Sequence, residues 1–365
     1  MKVLVIGGAT IDVITSIDPE NIECITMSNA TNSYLMMEQG KKVEASRIDT
    51  QIGGGATNAS VAMSRMGADV SCVLKLGDDI DAERVLSRLQ EEGVQTDFVT
   101  KHPTEQTGKS VIVSSHDRNS GVFVNRGANT KLRLNDLNDK MFEGVDLVYI
   151  SPLSSQSADI FPEIVKLAKN AGAFVACNLG IRQIRLRKER VQEALKSVDL
   201  VAINEAEAAA LAEGYVSVLQ AKEATDNSLP ELLRDGLGPV DARTSLSGLA
   251  ARVHKTGCQY LVVTNGAEGA YICEGADIHF CPSFPCEVKT TIGAGDAYNT
   301  TVAYSLALGL PFEKALQNAS VNAASVASCI DTQSGLLNAA ELEKRLSNAK
   351  DFKVLSFPND DEELV

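Results

Sequence analysis

Residues 291–301, TIGAGDAYNTT, place two glycines, an alanine and an aspartate together where helix-forming sequence begins. Gly293, Ala294 and Gly295 leave backbone N–H groups uncovered by large side chains, and the positive start of a helix attracts anions. The carboxylate of Asp296 can accept a proton beside such an anion hole. The stretch therefore predicts an anion site next to a proton acceptor. The structural alternative is a helix N-cap, because Asp is favoured there and glycine often precedes a helix.

Composition limits the class of partner. The chain has 365 residues, 44% of them hydrophobic, and a formal net charge of -14 at pH 7. This charge argues against nucleic acid, whose phosphates are held by clustered Lys and Arg, so a phosphate site must rely on local dipoles and a metal ion. The length favours one large α/β core with a smaller appendage.

Cysteine spacing and hydropathy indicate the compartment. The eight cysteines form no C-x-x-C pair, no signal peptide precedes the strand-like KVLVIGG, and the four histidines are scattered. No apolar run approaches the roughly 20 residues of a membrane helix. We therefore expect a cytoplasmic protein with reduced thiols, no zinc site and no membrane partner.

Strand-like and helical stretches alternate along most of the chain. β-branched runs such as KVLVI, VDLVYIS and VDLVAIN are separated by amphipathic stretches such as IFPEIVKLAKNAG. This alternation predicts an α/β fold with a central, mostly parallel sheet between two layers of helices. Ligands of such folds bind beyond the carboxyl ends of the strands.

Two regions depart from this alternation. The segments at 41–52 and 108–127 alternate polar and apolar residues without a helix, which is typical of a small antiparallel sheet with one covered face. We predict that this sheet is a lid over the core. Residues 213–245 read as a surface insertion and the acidic tail at 358–365 as solvated. The predicted division is a core of residues 1–14, 53–103 and 128–365 and a lid of residues 15–52 and 104–127.

Two common nucleotide motifs are excluded. GKS at 108–110 ends like a P-loop, but Pro103 stands where that motif requires a glycine. The turn at Gly293 does not give G-x-G-x-x-G, since Tyr298 occupies the last position. A P-loop enzyme and a nicotinamide dehydrogenase therefore lose their support.

Two longer stretches carry a family resemblance. GGGATNASVAMSRMGADVSCVLKLGDD at 53–79 and TTIGAGDAYNTTVAYSLALG at 290–309 resemble the two signature regions of the ribokinase-like carbohydrate and nucleoside kinases, the PfkB family. The likeness covers nearly the whole chain. It implies a ribokinase-like fold and transfer of the γ-phosphoryl group of ATP to a hydroxymethyl group of a sugar. The family's G-A-G-D aspartate is the general base, which gives this role to Asp296 and the anion hole to the amides of Gly293 to Gly295.

The resemblance also implies a substrate site. Asp12, just after the first strand, matches in type and position the acid that holds substrate hydroxyls. Gly53 and Gly54 let a substrate approach the backbone, and Asn58 can donate to and accept from hydroxyl groups. The alternatives are a turn or cap role for Asp12 and an N-cap role for Asn58.

The nucleotide and metal residues follow from three more stretches. NEAE at 204–207 resembles the family's N-x-x-E element, with Asn204 near the phosphates and Glu207 organising Mg²⁺ through water, although EAEAAAL is also a plain helix. VVTNGAEGAYI resembles the segment that holds ATP, and the alternative for it is a simple hairpin with glycine turns. The implied nucleotide-binding residues are Asn204, Thr264, Gly266, Gly269 and, near adenine, Asn322.

Three positions depart from the family pattern. Thr290 stands where an aspartate linked with monovalent-cation binding is common, so activation by potassium is an open question. Asn178 stands where many relatives have the acid of a D-P-N-x-R stretch. No acid follows DLVYIS to match the one that ribose-specific relatives use, which makes ribose a poor first choice.

Two other functions and one assembly stay open. A nucleoside kinase needs a base-stacking platform, and Tyr34, Phe123 and Tyr298 are the candidates in a chain with only 5% aromatic residues. A sugar or nucleotide sensor without turnover is the second alternative, suggested by Thr290 and Asn178. The one-sided lid sheet leaves an apolar face that favours a homodimer.

Overall fold

The computed structural model describes residues 1–18, 23–26, 33–36, 39–40, 42–114, 120–213, 228–239, 243–275 and 277–357. The predicted solvated tail at 358–365, most of the predicted insertion at 213–245 and the side chain of Tyr34 lie outside the described residues. Within the described residues, no helix has both the length and the apolar character needed to cross a membrane.

The strands and helices follow the predicted alternation. The strands are β1 Lys2–Gly7, β2 Thr10–Ser16, β3 Glu23–Thr26, β4 Ser33–Met36, β5 Arg47–Gly53, β6 Asp69–Gly77, β7 Thr100–His102, β8 Gly108–Ser114, β9 Ser120–Asn125, β10 Leu147–Ile150, β11 Phe174–Asn178, β12 Leu200–Asn204, β13 Tyr260–Asn265, β14 Gly269–Glu274, β15 Asp277–Pro282 and β16 Leu355–Phe357. The helices are α1 Gly55–Arg65, α2 Ile80–Glu91, α3 Phe161–Asn170, α4 Ile181–Leu186, α5 Lys188–Leu195, α6 Glu205–Ala212, α7 Glu231–Asp235, α8 Leu246–Lys255, α9 Ala294–Ala307, α10 Phe312–Ala327 and α11 Ala339–Ser347.

Ten strands form the central sheet in the order β16-β15-β14-β13-β12-β11-β10-β1-β6-β7. All pairs from β7 to β13 are parallel, and β14, β15 and β16 add an antiparallel edge. The four residues of β10 are all buried, as expected for a strand covered on both faces. The prediction of a mostly parallel sheet is confirmed.

The helices on each face of the sheet pack against it through a hydrophobic core. Leu4 and Ile6 of β1 pack into one core with α3, α5, α6 and α8, whereas Val3 and Val5 pack into the other with α1, α2, α9, α10 and α11. Alternate residues of one strand thus point to opposite layers, as the period of two requires. This arrangement confirms the predicted three layers.

A separate four-stranded sheet has the order β5-β2-β8-β9. Its β2–β5 and β8–β9 pairs are antiparallel and its central β2–β8 pair is parallel. The prediction of a small antiparallel lid sheet is therefore confirmed, with one parallel pair at its centre. The first segment of the predicted core ends at residue 14, whereas strand β2 starts before that boundary and ends after it. Only two residues separate β2 from β1. This short link brings the lid to the carboxyl end of β1.

Candidate active site

Helix α9 begins at the predicted anion site. Its N-cap is Gly293, with φ of 82°, and Asp296 lies in the first turn. A Cβ at Gly293 would lie 2.7 Å from Cβ of Thr332, so both the backbone conformation and the packing require glycine there. Asp296 is not the N-cap, which removes the structural alternative for this residue.

The three amides at the start of α9 are not equivalent. The Ala294 N–H donates to the carbonyl of Thr291 at 3.3 Å, whereas those of Gly293 and Gly295 have no hydrogen-bond partner among the described residues. A Cβ built on Gly295 would meet no heavy atom within 4 Å. The Gly293 and Gly295 amides therefore remain available to an anion, and Gly295 faces open space.

Asn58 connects α1 to the predicted base. Its Nδ2 donates to Oδ2 of Asp296 at 2.9 Å. Its Oδ1 accepts from Oγ1 of Thr332 at 3.0 Å and from Nε2 of Gln333 at 3.3 Å. These two donors fix which end of the amide faces Asp296. The N-cap of α1 is Gly54, so Asn58 does not have the alternative N-cap role.

The surroundings of Asp296 change its acidity. Burial raises the pKa of Asp296, the hydrogen bond from Asn58 lowers it, and the negative charge of Asp12 raises it again. The net effect is a pKa above the ordinary value for an aspartate. A higher pKa makes this carboxylate a better proton acceptor, as long as it stays ionised at working pH.

Asp12 is buried at the junction of core and lid. It lies on β2, opposite Gln51 of β5 and Ser110 of β8, and its Oδ1 accepts from Oγ of Ser110 at 2.6 Å. A Cβ at Gly53 would lie 1.9 Å from Oδ2 of Asp12, so glycine is needed for the carboxylate to fit. Gly54, with φ of 99°, is also closely packed, since a Cβ there would lie 2.7 Å from the Gly8 carbonyl oxygen. The structure thus brings the predicted substrate residues together near Asp296.

The N-x-x-E element forms a capping box at the start of α6. The Glu207 N–H donates to Oδ1 of Asn204 at 2.9 Å, and the Asn204 N–H donates to Oε2 of Glu207 at 3.0 Å. Burial raises the pKa of Glu207, the amides of Asn204 and Ile181 lower it, and the charge of Asp296 raises it further. Glu207 is therefore close enough to Asp296 to respond to its charge. Within the described residues, no group of three or more acidic, His or Cys side chains forms a metal cluster. A lone carboxylate fits Mg²⁺, which keeps several of its waters.

The predicted nucleotide loop is the hairpin between β13 and β14. Thr264 is the β-sheet partner of Asn204, which places both residues at the same end of the sheet. Gly266 has φ of 51° and is exposed, and a Cβ there would meet nothing within 4 Å. Gly269 is buried with φ of 135°, and a Cβ there would lie 2.2 Å from the Cys281 carbonyl oxygen. The hairpin geometry requires Gly269, whereas Gly266 leaves an open surface.

Asn322 does not fit its predicted contact with adenine. It is completely buried on α10, where its Nδ2 donates to Oγ1 of Thr301 at 2.8 Å and its Oδ1 accepts from the Leu337 N–H at 2.9 Å. The side chain thus joins α10 to α9 and to the segment before α11. Sequence gave no sign of this packing role, because both partners are distant along the chain.

The positions that depart from the family pattern have protein partners. Oγ1 of Thr290 accepts from the Ile292 N–H at 3.2 Å, just before the anion site. Nδ2 of Asn178 donates to the Ala202 carbonyl at 2.7 Å, between β11 and β12. Tyr298, a candidate for base stacking, lies on α9 and is only 6% exposed, whereas Phe123 is 63% exposed on β9. Of these two candidate platforms, only Phe123 is accessible.

Four residues of this region were not predicted from the sequence. Thr332 and Gln333 orient Asn58, and only the tertiary fold places them beside it. Arg126 and Arg182 line a cavity of about 340 Å³ together with Glu207. Arg182 had a sequence signal, as the basic residue in CNLGIR after β11.

Comparisons with known proteins identify a family that matches most of this chain. The family model described as pfkB family carbohydrate kinase matches residues 14–339. A ribokinase of Bacillus subtilis is 30% identical over 84% of this chain and 92% of its own length. A bifunctional ribokinase/ribose-5-phosphate isomerase A of Fructilactobacillus sanfranciscensis is 23% identical over 98% of this chain, which spans only 61% of that longer protein.

A solved structure shows the same fold. Arabidopsis thaliana ribokinase, complexed with ribose and ATP, has a TM-score of 0.71 and 20% identity, covering 94% of this chain and 98% of its own. The fold is therefore ribokinase-like. Together with the family match across most of the sequence, these findings show that the chain belongs to the pfkB family of carbohydrate kinases and is a phosphotransferase with an alcohol acceptor.

Proposed function

We propose that this kinase transfers the γ-phosphoryl group of ATP to a hydroxymethyl group of a sugar, with Asp296 as general base. The observation that carries the proposal is the hydrogen bond from Asn58 to Asp296 beside the unpartnered amides of Gly293 and Gly295. It joins the two signature regions at one point. An alcohol is a poor nucleophile, so a carboxylate that takes its proton as the O–P bond forms lowers the barrier.

The start of α9 provides the electrostatic part of the reaction. As the bond from the phosphoryl group to ADP breaks, negative charge spreads over the phosphoryl oxygens. The Gly293 and Gly295 amides, at the positive end of α9, would donate to those oxygens. Ala294 contributes less than we predicted from the sequence, because its N–H already donates to Thr291.

Asp12 and Gly53 would hold the acceptor. The Asp12 carboxylate accepts one hydrogen bond from Ser110, and its other oxygen, next to Gly53, is left to a sugar hydroxyl. A buried carboxylate binds hydroxyls strongly, since charge-assisted hydrogen bonds strengthen in a low dielectric. Strand β2 carries Asp12 into the lid sheet, so lid closure and acceptor binding would be coupled and water would be excluded.

Asn204, Thr264 and Gly266 would face the nucleotide at the carboxyl ends of β12 and β13. Glu207 would hold Mg²⁺ through water, and the bound ion would neutralise charge on the phosphates of ATP. The same capping box that starts α6 would thus orient the metal-binding carboxylate.

The experiment is ADP production by the pure protein with pooled sugars and, separately, pooled nucleosides. We expect acceptor-dependent turnover with sugars, and a loss of about 100- to 10,000-fold in kcat for Asp296→Asn with ATP affinity unchanged. Undiminished turnover by Asp296→Asn would remove its role as base. Turnover with nucleosides alone would establish the nucleoside kinase, and binding without ADP production in either pool would establish the sensor.

A homodimer through the lid is our proposal for the assembly. Strand β9 forms one edge of the lid sheet, and Val122, Phe123 and Val124 on it are all exposed. An apolar edge strand of this kind is a ready surface for pairing with a second copy.

A further inference from the structure

Arg88 of α2 is connected to the proposed base through two buried side-chain amides. Its Nε donates to Oε1 of Gln333 at 3.1 Å, and Nε2 of Gln333 donates to Oδ1 of Asn58 at 3.3 Å. Nδ2 of Asn58 in turn donates to Oδ2 of Asp296 at 2.9 Å. Gln333 is 4% exposed and Asn58 is 3% exposed, so water has little access to the two amides. A continuous row of hydrogen bonds, the amide row, therefore joins a guanidinium group to a carboxylate.

The two ends of the amide row determine the direction of every hydrogen bond in it. A guanidinium group can only donate, so Oε1 of Gln333 must face Arg88 and Nε2 must face Asn58. An ionised carboxylate can only accept, so Nδ2 of Asn58 must face Asp296. The hydroxyl group of Thr332 also donates to Asn58, but a hydroxyl can accept as well and does not by itself fix an amide. Arg88 is thus the group that determines which way the two amides point.

The guanidinium group of Arg88 is itself held in position. Its Nη2 lies 2.6 Å from Oε1 of Glu92, and the same oxygen binds Nη2 of Arg65 at 2.6 Å. Nη1 of Arg65 donates to the carbonyl oxygens of Gln333 and Leu336, both at 2.8 Å. One carboxylate therefore anchors both arginines, of which one binds the side chain of Gln333 and the other its backbone.

The polarity of the amide row favours the ionised form of Asp296. Amide dipoles that are aligned between a cation and an anion strengthen one another, and the last N–H of the row donates to the carboxylate. This hydrogen bond from Asn58 lowers the pKa of Asp296. Removal of the cation at Arg88 would leave the Gln333 amide free to turn. The bond from Asn58 would then weaken, and the pKa of the base would rise.

Other titratable groups also interact with the charge of Asp296. They are Asp12 on β2, Glu207 on α6 and Tyr149 on β10. A substitution in α2 or at Gln333 leaves all of these groups in place. A change in the acidity of the base after such a substitution can therefore be assigned to the amide row or to the charge that was removed.

Arg84 lies one turn before Arg88 on α2 and provides the matched comparison. Both arginines line a cavity of about 670 Å³ between the lid strand β5 and α2, together with the acids Glu91 and Asp331. Arg84 pairs with Asp81 at 3.2 Å. The two arginines thus carry the same charge on the same wall. Within the described residues, only Arg88 is hydrogen-bonded to the amide row.

We propose that Arg88 is a positioning residue for the base, which acts through Gln333 to orient the Asn58 amide and so keeps Asp296 ionised at working pH. The inference rests on the proposed kinase function. It adds control of the base by two residues, Arg88 and Gln333, that lie outside both signature regions.

The test is the pH dependence of kcat/KM from pH 4 to 9, with the full chain and the sugar that gives the highest turnover. The variants are Arg88→Ala, Gln333→Met and the control Arg84→Ala. Gln333→Met keeps the size of the side chain, every charge and the Glu92 cluster, so it breaks the amide row even where Arg88→Ala is unstable. We expect Arg88→Ala and Gln333→Met to move the acid limb upward by about 0.5 pH unit or more, because the hydrogen bond to Asp296 weakens.

The plateau values and the control complete the expected result. In Arg88→Ala and Gln333→Met, kcat should fall by about two- to thirtyfold while the KM for ATP stays within about twofold. Arg84→Ala should behave as wild type, since it loses only a partly exposed ion pair. In an Asn58→Ala background, Arg88→Ala should move the acid limb by less than about 0.2 pH unit, because effects that pass through one shared bond are not additive.

Each other outcome contradicts a specific part of the inference. An acid limb that moves in both arginine variants but not in Gln333→Met would assign the effect to long-range charge and overturn the amide row. An equally large shift in the Asn58→Ala background would show that Arg88 acts by another route. Lower melting temperatures with an unmoved acid limb would give Arg88 a structural role alone and leave the kinase intact. Absence of turnover with every acceptor would instead contradict the proposed function.

Discussion

The Nδ2 of Asn58 donates to Oδ2 of Asp296 at 2.9 Å, between residues 238 positions apart in the sequence. Thr332 and Gln333 bind the other end of the amide, so its orientation is fixed before any substrate arrives. This bond lowers the pKa of Asp296 while burial and Asp12 raise it. The pKa of the proposed base is therefore set by two opposing effects, and each can be tested.

Replacement of Asn58 should move the acid limb of the pH–rate profile. Without its hydrogen bond the pKa of Asp296 rises, so the pH at which kcat/KM falls should move upward in Asn58→Ala. Asn58→Asp should move it further, because the new carboxylate can still accept from Thr332 but adds a negative charge beside Asp296. The measurement is kcat/KM from pH 4 to 9.

The matched control for that series is Asn322→Ala. Asn322 is another buried asparagine, with bonds to Thr301 and Leu337 rather than to Asp296. We expect it to lower the free energy of unfolding by about 1–3 kcal/mol without moving the acid limb. If Asn58→Asp leaves that limb where it is, the hydrogen bond does not control the acidity of the base.

Asp296→Asn should change stability in a pH-dependent way. Because the pKa of Asp296 is raised in the folded chain, the folded protein binds this proton more tightly than the unfolded chain does. Wild-type stability from this group is present below the ordinary pKa of about 3.9 and is lost as pH rises through the folded value. The variant has no carboxyl group at this position, so it does not lose stability in this way as pH rises. Its melting temperature minus that of the wild type should thus be larger at pH 7 than at pH 4, and a difference that falls with rising pH would show the pKa is not raised.

Alanine substitution should have different effects at Gly293 and Gly295, whose N–H groups have no partner among the described residues. Gly295→Ala adds a methyl group to open space in the first turn of α9, so stability should be unchanged or rise by about 0.5–1 kcal/mol. The same methyl group would keep the phosphoryl oxygens away from the Gly295 N–H, and the loss of one such hydrogen bond lowers kcat by about 100- to 1000-fold. Gly293→Ala should fold poorly, since its φ is 82° and Thr332 is in contact. Full activity in Gly295→Ala would place the phosphoryl group elsewhere.

The exposed edge of the lid predicts a dimer. Light scattering at micromolar concentration should give twice the mass of a monomer. The variant Phe123→Asp changes a side chain that is 63% exposed on β9, and it should have the mass of a single monomer. Leu134→Asp is the control, because Leu134 is an apolar residue 46% exposed outside the lid strands. A wild-type monomer would contradict the assembly.

Much of the fold could be predicted because burial on both faces leaves a continuous apolar run in each central strand. The runs LVYI and LVAI are such cases, and both became parallel strands of the central sheet. The predicted boundary places most of the strand Thr10–Ser16 in the core, since it follows β1 after only two residues and its pairing with β5 and β8 is not local. A strand that changes sheets has no mark of its own in the sequence.

The site was predictable where its chemistry is local. Gly293 to Asp296 are consecutive, and their roles at a helix start follow from backbone geometry. Gln333 reaches Asn58 only through the tertiary fold, and the cavity that Arg126 and Arg182 line with Glu207 depends on which side chains pack nearby. Such pairings cannot be predicted from spacing. The motif of Asn204 and Glu207 predicts two roles for one side chain. The Glu207 carboxylate can complete a capping box, and it can also be a metal ligand.

The two roles of Glu207 can be separated by substitution. Glu207→Gln retains an oxygen that accepts from the Asn204 N–H, so α6 keeps its cap, while the charge that would attract Mg²⁺ is lost. Asn338 and Glu341 form the same capping box at the start of α11, with bonds of 2.9 Å, and Glu341→Gln is therefore the matched control. Both variants should change the free energy of unfolding by less than about 1 kcal/mol. Only Glu207→Gln should raise the Mg²⁺ concentration needed for half-maximal turnover, measured at saturating acceptor and fixed ATP. Equal Mg²⁺ requirements in the two variants would mean that Glu207 serves the helix alone, because the loss of charge at the same position in the same motif would then have had no effect on the metal.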